Sequence, residues 1–412
     1  MPIHSEVSQH EYWLALAMTP GIGPTRGKKL VERFGSATNV FHASLTELEA
    51  GLMAISAQSI ATGASLTRAE EEIAKAKVVE AKIVTPEDDA YPRRLLEIYD
   101  PPLCLYVRGD VSALSQPGIA VVGTRHPTPY GVGMAERLSC DLSARGIIII
   151  SGLARGVDSA AHRGAVNAKG KTVAVLGTGA DVIYPRENAK LIDPILSLGG
   201  AVISEFPLGT AATPQNFPIR NRIISGLSIG VLVLEAGEYS GTRITARCAL
   251  EQSREVYAVP GNVTNKLSWG PNTLIKQGAK LVATWEDVWE ELPSEVRLQL
   301  EAERPSASEA PSTASLFDGA ALSPHEKRIY ALLRADESTH IDELVDRVQE
   351  HMSSSEMFAA LFELEINGKI RQLPGKNYVR TFLKLRNAQR VFLLICKDLG
   401  MICDADYMQF EY

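Results

Sequence analysis

The sequence has little cysteine, no excess of positive charge and no long apolar run. Its five cysteines include no Cys-x-x-Cys pair, which argues against a zinc site or a disulfide framework and predicts reduced thiols. No stretch reaches the ~18 apolar residues that a membrane helix needs, and the N-terminus lacks a basic segment followed by an apolar one. We therefore expect a cytoplasmic protein without a bound metal.

The chain is acidic as a whole. Its 412 residues include 42 lysines and arginines against 49 aspartates and glutamates, a formal net charge of −7. This excludes a surface coated in positive charge, so any nucleic-acid site must concentrate its cations locally. Hydrophobic content of 45% and charged content of 22% are typical of a folded globular protein, and the length predicts several domains.

The composition and the hydrophobic pattern of the sequence change along the chain and divide it into five segments. Segment 295–322 is rich in Ser, Ala, Pro and Glu and cannot bury much surface, so we expect a flexible linker there. The other segments are a helical helix-hairpin-helix or SAM-like domain over 1–85, a Rossmann-like domain over 86–294, a winged-helix domain over 323–380, and a C-terminal helical extension over 381–412.

The central segment gives the clearest prediction of fold. Near-continuous apolar runs of this kind are typical of strands buried on both faces of a parallel sheet. Helix-length segments lie between them, and this alternation predicts an α/β class with a doubly wound, mainly parallel, Rossmann-like sheet. Ligands of such sheets bind beyond the carboxyl ends of the strands. The runs are 118–123, 146–152, 172–179, 200–206, 229–237, 255–261 and 280–284.

Two glycine-containing stretches resemble nucleotide-binding motifs, but neither has the complete pattern. Gly177-Thr178-Gly179 follows a strand but lacks the third glycine of a dinucleotide fingerprint. The stretch 164–172 ends in Gly-Lys-Thr like a P-loop, but it has one residue too many and runs from helix into strand. With no nucleophile elbow and no metal-ligand cluster either, the sequence predicts no cofactor and no catalytic residue.

The loops that follow the strands contain arginines and small polar residues instead. Parallel strands end at the same edge of a sheet, so these side chains are expected to converge there. Arginine binds phosphate with a planar fork, and glycine, serine and threonine at helix starts add donors. For any one arginine, pairing with a local carboxylate is an equally good alternative. The arginines are Arg125, Arg155, Arg186, Arg220, Arg222 and Arg243, and the small residues include Gly123, Thr124, Ser240 and Gly241.

Phe217, flanked by prolines in the long loop after the fourth strand of the alternation, could present a ring on which a base stacks. Base stacking on an aromatic side chain contributes about 1–3 kcal/mol in single-strand binders. A basic groove with an aromatic platform is suited to sequence-tolerant binding of single-stranded DNA.

At these residues the sequence resembles the DprA/Smf (DNA processing protein A) family. The matching stretches include AVVGTRHPTPYG, SGLARGVDSAAH and NFPIRNRIISGLS. The resemblance implies binding of single-stranded DNA, loading of a RecA-type recombinase during natural transformation, a homodimer through the Rossmann-like domain, and no enzymatic activity. It makes Arg125, Arg155, Arg186, Arg220 and Arg222 the phosphate candidates, and Asn216 and Phe217 the nucleotide contacts.

The sequence departs from the family pattern at two positions. The family commonly has a lysine where Tyr239 stands and an apolar residue where Arg243 stands. A positive charge has either moved by four residues here, or the site is weaker.

The flanking segments carry further signals. Residues 19–30 have the form of a helix-hairpin-helix with Arg26, Lys28, Lys29 and Arg33 nearby. In the winged helix we expect helices over 325–335, 341–348 and 353–367. The third helix carries Glu356, Glu363 and Glu365 and no Lys or Arg, which favours a protein contact over DNA.

Two other functions compete with a DNA-binding mediator. One is a phosphoribohydrolase-like enzyme that acts on nucleotides with the same type of sheet, in which Glu235 or Glu205 would be the catalytic acid. The other is a scaffold that binds recombinase through the acidic third helix and keeps only a vestigial DNA cleft.

Overall fold

The computed structural model describes residues 8–302, 322–334, 337–348, 352–367 and 369–380. The chain forms two compact units, one of Met1–Pro127 with Ala135–Ser306 and one of Thr128–Met134 with Ala307–Tyr412. The predicted extension 381–412, with Cys396 and Cys403, lies outside the described residues. Within the described ranges, no helix has both the length and the hydropathy to cross a bilayer.

The first unit begins with a cluster of six helices, as the composition of 1–85 predicts. Ser8 and Glu11 form a capping box at the first helix, and Pro24 occupies the first position of the second, which ends at Gly35 in the left-handed region. The predicted hairpin is the turn between these two helices, where Gly21 has φ 77°. The helices are α1 (Gln9–Ala17), α2 (Pro24–Phe34), α3 (Ala37–His42), α4 (Leu45–Glu49), α5 (Ala54–Ala61) and α6 (Ala64–Val78).

A nine-stranded sheet forms the centre of the first unit. Its strands are β1 (Lys82–Val84), β2 (Leu105–Gly109), β3 (Gly118–Val122), β4 (Ile148–Ser151), β5 (Thr172–Val175), β6 (Ala201–Ser204), β7 (Gly230–Val233), β8 (Glu255–Ala258) and β9 (Lys280–Leu281). Their order is β1-β2-β6-β5-β4-β3-β7-β8-β9. All seven predicted strands are present and parallel, which confirms the Rossmann-like class. β1 and β2, which were not predicted as strands, add an antiparallel edge.

Helices connect most of the strands of the sheet and follow the last strand. They are α7 (Arg93–Leu96), α8 (Pro129–Ser143), α9 (Val157–Asn167), α10 (Ile192–Ser197), α11 (Asn216–Leu227), α12 (Thr242–Glu251), α13 (Trp269–Lys276), α14 (Trp285–Glu290) and α15 (Ser294–Ala302), with 3-10 turns at Val111–Leu114, Arg186–Leu191 and Lys266–Ser268. The chain runs outward from β3 through β4, β5 and β6, and then returns to place β7 on the other side of β3. This reversal between β3 and β7 is the topological switch point, where α/β sheets bind ligands.

The N-terminal helices and the sheet share apolar core. Leu14 and Ala15 of α1 and Ala69 of α6 pack in one buried cluster with Cys104 and Tyr106 at the antiparallel edge. Burial raises the pKa of the Cys104 thiol to about 12, so this thiol is unreactive. β1 of the sheet starts at Lys82, before the predicted end of the helical domain at residue 85. The boundary between the helical and the Rossmann-like domain therefore stays a prediction.

The predicted linker needs one correction. Its first residues form α15, because Leu300 is 3% exposed and packs beside Gly146. An apolar anchor at that position gives the segment enough buried surface to hold a helix, which its average composition conceals. The rest of the predicted linker, 303–321, lies outside the described residues.

The second unit contains the predicted winged helix. Its elements are α16 (Pro324–Leu332), β10 (Thr339–His340), α17 (Ile341–Val348), α18 (Ser354–Ile366), β11 (Ile370–Leu373) and β12 (Asn377–Arg380), and the strands pair in the order β10-β12-β11. Ser323 with Glu326 and Ser353 with Glu356 form capping boxes that start α16 and α18. Three helices and the wing occupy the expected positions, which confirms this part of the fold.

Candidate nucleic-acid interface

A cleft of about 880 Å³ opens at the switch point of the sheet. The loop after β3 and the loop after β7 form its two sides, and the first turns of α11 form its floor. Seven of the twelve predicted site residues line it, namely Gly123, Thr124, Arg125, Phe217, Arg220, Ser240 and Gly241. Arg155 lines a smaller neighbouring cavity together with Arg125, Phe217 and Arg220.

The loop after β3 is held rigidly and presents Arg125. A Cβ atom on Gly123 would lie 2.5 Å from Val157, so α9 packs closely only against glycine. Thr124 donates its N–H to the Glu235 carbonyl at 2.6 Å and accepts from Val157 N–H at 3.2 Å. Arg125 is exposed, and no carboxylate lies within ion-pair distance of it in the described ranges. Its guanidinium is free to bind a ligand.

Arg125 lies next to an aromatic pair. Its Cζ atom is 5.4 Å from the centroid of the Phe217 ring, and the Tyr184 ring is 5.7 Å from the same centroid. Gly177 makes room for this arrangement, because a Cβ there would lie 2.9 Å from Phe217 Cδ1. The cation and both rings therefore border one space.

Sequence reasoning missed Tyr184. It lies in the loop after β5, directly before Pro185, and its side chain is 43% exposed. A large exposed aromatic in a loop at the carboxyl end of a strand was the available signal. Tyr239, noted only as a departure from the family pattern, lines the cleft and is 93% exposed.

Arg220 is buried at the cleft floor, which corrects the prediction that it is an open phosphate ligand. It donates through Nη1 to the carbonyl oxygens of Gly152 and Val175. Burial lowers its pKa to about 10, although the nearby Asp158 favours its charged form. A Cβ on Gly152 would lie 2.3 Å from the Arg220 guanidinium, so glycine at position 152 leaves the space that this guanidinium occupies. Its hydrogen bonds hold α11 against β4 and β5.

Arg222 is a second correction. Its Nε lies 3.0 Å from Asp100 Oδ2, and its Nη2 donates to Glu205. Only 9% of its side chain is exposed, and it is not among the residues that line the cleft. Two positions along α11 from Arg220, its side chain leaves the helix on a different side and is neutralised there. Arg222 therefore stabilises the fold and does not face the cleft.

Arg155 and Arg186 lie at the outer rim. Arg155 pairs with Glu187 through both ends of its guanidinium, and the Nη2–Oε2 distance is 3.1 Å. Each side chain of this pair is about half exposed. Arg186 is exposed, and the described residues give it no ion pair, but it does not line the main cleft.

The remaining candidates divide between the rim and other contacts. Asn216 begins α11 and donates its backbone N–H to Thr213 O at 3.1 Å without lining the cleft. Ser240 Oγ accepts the backbone N–H of Thr242, the first residue of α12, at 3.2 Å. Arg243 is not among the residues that line the cleft; it donates to Glu238 O at 2.6 Å, and its Cζ lies 5.1 Å from the centroid of the Trp269 ring. The family commonly has a lysine where Tyr239 stands, and the positive charge of Arg243 does not take the place of that lysine within the cleft.

Neither of the two alternative catalytic acids of the phosphoribohydrolase hypothesis, Glu205 and Glu235, lines the cleft. Glu205 binds Arg222, and burial raises its pKa. Glu235 is 4% exposed. Asp158 does reach the cleft wall, but it is buried and accepts the Gly152 N–H at 3.1 Å.

The loop before α11 is anchored from two sides. Glu72 of α6 accepts the Leu208 N–H at 2.6 Å, and its carboxylate is 1% exposed. Asp181 accepts the Gly209 N–H through both oxygens, at 2.9 and 3.0 Å. This loop continues to Ala212 and Pro214 at the cleft wall. An N-terminal helix therefore helps to shape the candidate site.

Comparison with known proteins identifies the family. Residues 82–293 match the family model of DNA recombination-mediator protein A, and residues 307–376 match the DprA winged helix domain. Protein Smf of Escherichia coli strain K12 is 42% identical over 299 residues, 72% of this chain and 77% of that one. DNA processing protein DprA of Bacillus subtilis strain 168 is 47% identical over 204 residues, 49% of this chain and 68% of that one.

A solved structure agrees with these relatives. The X-ray structure of DNA processing protein A from Streptococcus pneumoniae superposes with a TM-score of 0.57 and 34% identity, over 70% of this chain and 99% of that one. With the match over the whole sheet and over the winged helix, the chain belongs to the DNA recombination-mediator protein A family.

Proposed function

We propose that this protein binds single-stranded DNA in the switch-point cleft and loads a RecA-type recombinase onto that strand, as a homodimer and without catalysing a reaction. The process served would be natural transformation. Membership in a family of DNA recombination mediators supports the general role. The observation that carries the proposal is Arg125, which forms no ion pair with any described residue and lies beside the rings of Phe217 and Tyr184.

This arrangement favours an unpaired strand over a duplex. Arg125 offers a phosphate the planar guanidinium fork, and the exposed ring area offers a base a stacking surface. In a duplex the bases are stacked on each other, so only the phosphate contact remains available. Because the protein is acidic overall, binding depends on this local cluster and not on general attraction to DNA.

Binding to labelled oligothymidylate, measured by fluorescence anisotropy over a range of salt concentrations, tests the proposal. We expect Arg125→Ala to weaken binding and to reduce the slope of log K against log salt by about 0.7, the value for one phosphate contact on a single strand. Arg247→Ala is the matched control, because Arg247 is exposed, pairs with Glu251 and does not line the cleft. Equal effects of the two substitutions, or equal affinity for duplex, would contradict the proposal.

The recombinase step needs its own assay. Recombinase assembly on DNA already coated with a single-strand-binding protein can be followed through DNA-dependent ATP hydrolysis. We expect the wild-type chain to accelerate assembly and Arg125→Ala to lose that effect at the same concentration. If Arg125→Ala accelerated assembly as well as wild type, loading would not pass through this cleft. Sedimentation equilibrium measures whether the active species is a dimer.

A further inference from the structure

A second pair of an arginine and an aromatic ring lies just outside the cleft. Arg243, in the first turn of α12, has its Cζ 5.1 Å from the centroid of the Trp269 ring. Within the cleft, the Cζ of Arg125 lies 5.4 Å from the centroid of the Phe217 ring. Trp269 is 39% exposed, and Arg243 is exposed as well. The two pairs therefore offer a ligand the same combination of positive charge and aromatic ring.

The outer pair is continuous with the cleft. Leu267, two residues before Trp269, lines the cleft, and so does Ile244, the residue after Arg243. Two residues of chain span at most about 7 Å, so the backbone of Trp269 lies within that distance of a cleft residue. Tyr239, in the loop between β7 and α12, also lines the cleft and is 93% exposed. A strand that leaves the cleft over this loop would reach the outer pair.

The backbone that carries Trp269 is fixed to the loop after β7. Ala236 donates its N–H to Leu267 O at 2.7 Å and accepts the Gly270 N–H at 2.8 Å. A Cβ on Gly270 would lie 2.6 Å from Ala236 O, so this close approach requires glycine. Asn265 Oδ1 accepts the Leu267 N–H at 2.9 Å and holds the preceding turn. The ring is therefore presented on a fixed backbone, which reduces the entropy lost when a ligand binds.

The charge beside this ring favours an anion. Among the described residues, Arg243 has no carboxylate partner, and it donates to the main-chain carbonyl of Glu238. Lys266 is exposed and has no ion pair within the described ranges. Glu238 contributes one exposed carboxylate against these two cations. An unpaired nucleic-acid strand carries both groups that such a surface binds, a phosphate for the cations and a base for the ring or for the guanidinium plane.

We propose that Arg243, Trp269 and Lys266 form a second nucleotide subsite for the single strand bound in the cleft. Trp269 or the guanidinium of Arg243 stacks on a base, and the two cations bind the adjoining phosphates. This inference rests on the proposed function of the cleft and lengthens the footprint of the protein on DNA. The family commonly has an apolar residue where Arg243 stands, so we expect relatives with that residue to lack the subsite.

The length of the DNA separates the subsite from the cleft. Competition binding with oligothymidylates of about 4 to about 16 nucleotides covers the site sizes of single-strand-binding folds. We expect Trp269→Ala to weaken binding of the longer oligomers at least about fivefold and to leave the shortest unaffected. Arg243→Ala should reduce the slope of log K against log salt by about 0.7 for the longer oligomers alone.

Two further variants control for damage to the fold. Trp269→Phe keeps an aromatic ring and should retain most of the affinity that Trp269→Ala loses. Trp285→Ala is the matched control, because the Cζ of Arg145 lies 3.1 Å from the centroid of the Trp285 ring and neither residue lines the cleft. This control should bind oligomers of every length as the wild type does.

Arg125→Ala separates failure of the subsite from failure of the proposed function. If Arg125→Ala weakened binding at every length and Trp269→Ala at none, the cleft would bind DNA and the subsite would be overturned. If neither substitution weakened binding, the proposed function would fail together with the subsite. A change of oligomeric state in Trp269→Ala with unchanged affinity, measured by sedimentation equilibrium, would assign the ring to a contact between copies and also overturn the inference.

Discussion

The loop after β3 and the helix α11 border the same cleft, yet their arginines do different work. Arg125 in the loop is exposed and unpaired among the described residues, whereas Arg220 and Arg222 on α11 are buried and bonded to carbonyls or carboxylates. A loop beyond a strand end can direct a side chain into the opening, while a helix that packs on the sheet turns the side chains of its inner face toward the core. The same residue type is therefore accessible to a ligand in one region and serves the fold in the other.

The largest expected effect concerns Arg222. Replacing it with Met leaves the buried carboxylate of Glu205 without its cation, which costs about 3–5 kcal/mol of stability. Arg125→Met should stay within about 0.5 kcal/mol, since Arg125 is exposed and unpaired among the described residues. Urea denaturation followed by tryptophan fluorescence measures both. If the two variants unfolded at the same urea concentration, the contrast between the two regions would be lost.

A smaller effect is expected at Phe217. Phe217→Ala removes the ring beside Arg125 and should weaken binding of oligothymidylate by about 1–3 kcal/mol, a loss of about five- to 150-fold. Phe358→Ala is the matched control, because this ring is half exposed in the winged-helix unit among carboxylates. Anisotropy titrations should show no change for the control. Equal losses of affinity in the two variants would mean that an exposed ring contributes to binding whatever charge lies beside it.

The smallest expected effect concerns the ion pair of Arg155 with Glu187 at the outer rim of the cleft. Arg155 keeps the pKa of Glu187 below its usual value, so the pair stays ionised at neutral pH. Glu187→Gln should release Arg155 for phosphate and strengthen binding of single-stranded DNA by less than tenfold, because exposed ion pairs contribute only about 0–1 kcal/mol. The slope of log K against log salt should become steeper by about 0.7, the value for one additional phosphate contact on a single strand. Unchanged affinity and slope would show that Arg155 stays out of reach of the strand.

The parallel sheet and the winged helix could be predicted because their signals are local. Each parallel strand is a continuous apolar run, and both Ser-x-x-Glu capping boxes lie where α16 and α18 begin. β1 and β2 could not be predicted in the same way. β2 is held in the sheet by pairing with β6, a strand about a hundred residues later in the sequence, and the three-residue β1 is held by pairing with β2.

The site was predictable by region and less so by residue. Strand order brings Gly123, Arg125 and Phe217 together, and that order follows from the α/β pattern. The burial of Arg222 depends on Asp100 and Glu205, which are distant in sequence. A pattern of loops shows how many arginines follow the strands but not which of them already have partners.

The bond between Glu72 and the Leu208 amide has a practical consequence for anyone trimming the protein to a minimal module. A fragment that starts at residue 82, where the family match begins, keeps every strand but gives up this acceptor. It also uncovers Cys104 and Tyr106, which α1 and α6 shield from water. The loop before α11 would keep its bonds to Asp181 and the bond from Gly179 N–H to Thr210 O, but it would lose its contact with α6. The N-terminal helices therefore support the cleft and are not a separable domain.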